Sequence, residues 1–66
     1  MSEIVRRWIE NMLDKEITEV LGAIDNERLW QKGSDSQEEI DMHEDNILNH
    51  EEYLEWLKAK LEEINK

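Results

Sequence analysis

Cysteine, proline and phenylalanine are absent from these 66 residues, and glycine occurs only twice. Without cysteine there is no disulfide, no thiolate zinc site and no reactive thiol. Without proline nothing in the chain forbids long helices. The opening run MSEIVRRWIENML breaks its apolar residues with charges, so no signal-peptide core is expected. No apolar run approaches the ~20 residues needed to cross a bilayer. These absences predict a cytoplasmic chain with no membrane partner.

What is present is helical. Glu, Leu, Lys and Ile dominate, a usage typical of long helices and coiled coils. The net charge of −10 raises disorder as an alternative. The apolar residues are abundant and strictly periodic, however, which disordered chains lack.

One place interrupts the pattern. Lys32-Gly33-Ser34-Asp35-Ser36 offers a cation for a last helical turn and then a glycine suited to a left-handed C′ position. Ser36-Gln37-Glu38-Glu39 reads as a capping box, with Ser36 as N-cap and Glu39 at N3. This predicts a first helix over about 2–32, a turn at 33–35 and a second helix over about 36–65. A connection that short makes the two helices antiparallel neighbours in a single hairpin domain.

The second helix carries a heptad seam. Ile40, His43, Ile47, His50, Leu54, Leu57, Leu61 and Ile64 alternate spacings of three and four. The first helix offers a wider face of Val5, Ile9, Met12, Leu13, Ile17, Val20, Ala23 and Ile24. With the turn centred on Gly33 and Ser34, Ile24 meets His43, Val20 meets Ile47, Ile17 meets His50 and Leu13 meets Leu54. A lone two-helix hairpin leaves one side of each helix wet, and chains this short rarely manage that unaided. The predicted fold is therefore all-α: an antiparallel hairpin self-associating into a four-helix bundle, as a homodimer or higher oligomer.

Both histidines stand at d positions of the seam. Neutral imidazole there is an ordinary buried polar residue; with Glu16 and Glu27 close to their levels, His43 and His50 also form a candidate pH-sensitive layer. The two rings are ~10 Å apart along the helix, too far to share one ion within a chain. The residues three before each are isoleucines, so the Glu-x-x-His motif of di-iron bundles is missing. His43-Glu44 is followed by Ile47 where a zincin needs its second histidine.

Glu16-x-x-Glu19 with Glu38-x-x-Asp41 resembles the magnesium-binding acids of the MazG-type all-helical nucleotide pyrophosphohydrolases. That resemblance implies metal-dependent nucleotide hydrolysis, which needs the four acids to converge. Glu38 and Asp41 point away from the seam. No phosphate loop and no Ser/His/Asp set exists. The expectation is a non-enzyme with no cofactor and no metal.

Charge supplies the remaining signal. Residues 1–32 hold 5 basic and 7 acidic side chains, and residues 33–66 hold 3 and 11. No Lys or Arg lies between Gly33 and Leu57. Such a surface disfavours direct nucleic-acid contact and suits a protein with a basic surface. Leu48, Tyr53 and Trp56 lie off the seam, and Trp56 sits among Glu52 and Glu55 as a candidate partner anchor. The expected role is an acidic accessory or regulatory protein, of a kind met in phages and mobile elements, that acts by protein–protein contact. The alternative is a DNA-mimicking inhibitor of a basic nucleic-acid-binding protein.

Overall fold

A computed structural model describes residues 2–65. Two helices, α1 (Glu3–Gly33) and α2 (Gln37–Ile64), pack antiparallel as a hairpin measuring 51 × 14 × 11 Å. Among the described residues no helix is long and apolar enough to cross a membrane.

The start of α1 is capped by chemistry that favours a helix. The Ser2 hydroxyl accepts from the Val5 amide at 3.2 Å, and Glu3 sits at the positive end of the helix dipole. At the other end the expected left-handed glycine is not formed. Gly33 stays helical, and no described residue has positive φ. Ser34 ends the helix instead: its amide donates to the Gln31 carbonyl and its hydroxyl donates to the Trp30 carbonyl. Those two bonds satisfy orphan carbonyls that a Schellman turn would otherwise cover.

The predicted capping box is likewise absent. Ser36 occupies the N-cap of α2 with extended backbone, but its side chain makes no capping bond. Glu38 and Glu39 still stand in the first turn, where the helix dipole favours them. Gln31 replaces the cap as the stitch across the turn, its amide donating to the Ile40 carbonyl at 3.2 Å and to Glu44 at 3.0 Å.

Because Gly33 remains in α1, the connection is Ser34–Ser36 and its centre is Asp35. The helices are therefore offset from the register expected from a turn at Gly33 and Ser34. His43 lies against Glu27, and Tyr53 lies against Glu16. The core is small. Val20, Ile24, Ile47, Leu54 and Leu57 are buried, with Leu13 and Ile17 packed against them. Ile9, Ile40, Leu61 and Ile64 are half-covered, as are both histidines.

Candidate functional site

A largely enclosed polar pair lies toward the turn end of the hairpin. Glu27 projects from α1 toward α2 and its carboxylate meets the His43 ring nitrogen Nδ1 at 2.5 Å, each side chain being only 12% exposed. The Asn46 amide donates to the other Glu27 oxygen at 3.4 Å. Trp30 leans over the histidine, ring centres 6.1 Å apart. A carboxylate this deep in a helix interface stays only because both oxygens find partners. Its placement also fixes the sliding register of the hairpin, since a shift of one turn would break both contacts.

Glu27 and His43 are thus brought together, whereas Glu16 and His50 are not bonded to each other. Glu16 receives the Tyr53 hydroxyl at 3.3 Å. Burial against α1 first, then the charge of Glu16 and the hydrogen bond to it, hold the Tyr53 hydroxyl pKa above its ordinary value. Tyr53 stacks on Trp56 with ring centres 6.2 Å apart, and the Lys60 ammonium lies 5.5 Å from the Trp56 ring centre.

The four MazG-like acids do not converge. Glu16 and Glu19 lie at the middle of the hairpin and Glu38 and Asp41 at the turn, roughly 20 Å away along the axis at 1.5 Å per residue. Among the described residues no three His, Asp or Glu side chains gather closely enough to hold a metal ion.

The wider surface has two unlike faces, set by helical periodicity on either side of the seam. On one side α1 presents Val5, Met12, Ala23 and Trp30, with Trp8 at the edge. The same side of α2 presents Met42, Asn46, Asn49, Tyr53, Trp56 and Lys60. The Glu16–Tyr53 and Glu27–Asn46 contacts tie these two rows into one face. All four aromatic residues of the chain stand on it. The other side is charged: Glu3–Arg7 and Arg28–Glu51 pair there, among Asp14, Asp25, Asp41, Glu55 and Glu62, with Leu21 and Leu48 exposed among them.

The sequence groups Trp56, Tyr53, Glu52 and Glu55 with Leu48. In the fold Tyr53 and Trp56 belong to the aromatic face, and Leu48 and Glu55 turn toward the charged one. The row Met42-Asn46-Asn49-Tyr53-Trp56-Lys60 escaped sequence reading although it also alternates spacings of four and three. It mixes polar and apolar types, so only the absence of acids in so acidic a helix marks it. No family model matches the chain, and neither a curated protein nor a solved structure matches it.

Proposed function

We propose that this chain is a non-enzymatic, acidic helical hairpin that completes itself as a four-helix bundle and acts through protein–protein contact. One observation carries the reading: among the described residues five are buried, while eleven large hydrophobic residues remain exposed, among them Trp8, Met12, Trp30 and Trp56. Isolated apolar residues on a surface are ordinary, but seven of the eleven (Val5, Trp8, Met12, Trp30, Met42, Tyr53 and Trp56) share one face of so small a core, which marks an interaction surface.

Coupling of folding to association is the direct test. Helicity should melt at a temperature that rises with protein concentration, as it does wherever the folded state is the bound state. A melting temperature unchanged over a hundredfold dilution range would contradict the proposal.

A second reading has its own support. Asp41, Glu52 and Glu55 are exposed on α2, in a stretch with no cation from Ser34 to Trp56. A row of carboxylates on a rigid rod suits occupation of a basic groove, as a DNA mimic would achieve. Competition with duplex DNA for a basic DNA-binding domain tests it, and salt-independent failure to compete removes it.

A further inference from the structure

We infer that the aromatic face is where a second copy of this chain packs, with the two hairpins aligned turn to turn so that α1 of each lies across α2 of the other. The inference rests on the self-association proposed above and names its surface and geometry.

Area supports a second copy as the occupant. The hairpin exposes 5268 Å² for a mass of 8.0 kDa. A compact monomer of that mass exposes about 4,500 Å² by the scaling of surface with mass. The excess of roughly 800 Å² goes with the 51 Å length of the hairpin, and an interface of standard size covers about that much of each partner.

Charge selects the face. Each copy carries a net charge of −10, so two copies can approach only where acids are sparse. On α2 the row Met42, Asn46, Asn49, Tyr53, Trp56, Lys60 contains no acid and one cation. On the opposite side Asp41, Glu44, Glu51, Glu55 and Glu62 would meet their own copies. The small side chains Ala23, Asn46 and Asn49 lie at the middle of the aromatic face, where backbones can approach.

Charge also selects the alignment. Two copies can meet face to face in two symmetric ways. With turns at opposite ends, α1 crosses α1 near its midpoint and sets Glu16 and Glu19 of both copies side by side. With turns together, each α1 lies on the acid-free row of the partner's α2, and like levels match. Met12 then meets the level of Trp56, Glu16 and Glu19 that of Asn49 and Tyr53, and Trp30 that of Met42. A sulfur–aromatic contact forms at each end and the carboxylates find the Asn49 amide as a donor. The turn-to-turn alignment removes that four-carboxylate cluster from the middle of the interface and leaves the acids of the two turns at its exposed end.

A nitroxide label on Asp35→Cys tests the geometry, because the chain has no other cysteine. Turns that sit together place the two labels on the order of 10–25 Å apart, given helix layers 8–10 Å apart. A distance near the 51 Å length of the hairpin would overturn the alignment while leaving self-association standing. The face is tested separately by sedimentation. Met12→Glu should weaken the dimer on the order of 100-fold by placing a carboxylate in the contact, and Leu48→Glu should change it less than about threefold. The reverse pattern would overturn the face. Should Met12→Glu unfold the chain, the label distance still decides the alignment, since Asp35 lies in the exposed turn, and Trp56→Glu at an exposed position of the other helix decides the face by the same measurement. A folded monomer at every concentration would remove both the inference and the proposal beneath it.

Discussion

The two broad faces of the hairpin flank the same seam and share the same backbone, yet their surfaces differ in kind. On the charged face, Arg28 meets Glu51 across the helices and Arg7 meets Glu3 along one turn, and the remaining acids extend into water. On the aromatic face, Trp8 is 66% exposed and Met12 70% exposed, with Trp56 and Trp30 beside them. The charged face is finished in solvent, for exposed ion pairs contribute little and need nothing more. The aromatic face leaves a hydrophobic term unused, and only another apolar surface can use it.

The comparison breaks most completely at the seam both faces depend on. Leu54→Asp places an unpaired charge among Ile47, Leu57 and Val20, and should abolish cooperative folding altogether. Circular dichroism is the check: a melting curve like that of the wild type would show that the seam does not hold the hairpin.

Next in size is the polar anchor at the turn end of the aromatic face. Glu27→Ala should cost about 1–3 kcal/mol, because His43 and Asn46 both lose a partner inside the interface. Glu27→Leu with His43→Leu should be milder than either change alone, since an apolar pair leaves no stranded group. Additive losses in a denaturant cycle would mean that the two side chains do not depend on each other.

Smaller again is the effect of salt. Raising sodium chloride from about 0.05 to 0.5 M shortens the Debye length from above 10 Å to below 5 Å. Repulsion between two copies of charge −10 falls accordingly, and association should tighten several-fold. Weakening with salt would mean that attraction between charges, rather than the aromatic face, joins the copies.

The smallest effect sharpens the middle of the aromatic face. Tyr53 is the only tyrosine, so its ionisation can be followed by absorbance. Its hydroxyl titrates above the usual value of about 10, so its contribution to stability is present below that pH. That contribution is lost as pH rises through the higher folded value. Glu16→Gln should move the titration part of the way back toward 10, the share due to burial remaining. No movement would mean that Glu16 does not govern the hydroxyl.

Much of this architecture is legible in the sequence. The unbroken three–four spacing from Ile40 to Ile64 reports α2 and its buried side, and Ile47, Leu54 and Leu57 are indeed in the core. Such a pattern is readable because burial acts through many residues at once. The turn is less legible, because its chemistry rests on single hydrogen bonds with close competitors. Gly33 is free to be left-handed but stays helical once Ser34 satisfies the carbonyls of Trp30 and Gln31. Ser36 has a capping sequence without a capping bond, and the cross-helix reach of Gln31 leaves no local signature. Glu27 and His43 were readable as an inward pair at one level. Tyr53 with Glu16 was not, because the register that joins them depends on where the turn closes.

The most direct measurement is sedimentation equilibrium of the unmodified chain across micromolar concentrations, with helicity recorded on the same samples. A fully helical species of at least twice the 8.0 kDa chain mass is expected, dissociating and losing helix together on dilution. A cooperatively folded species at 8.0 kDa, with its aromatic face open to water throughout that range, would contradict it.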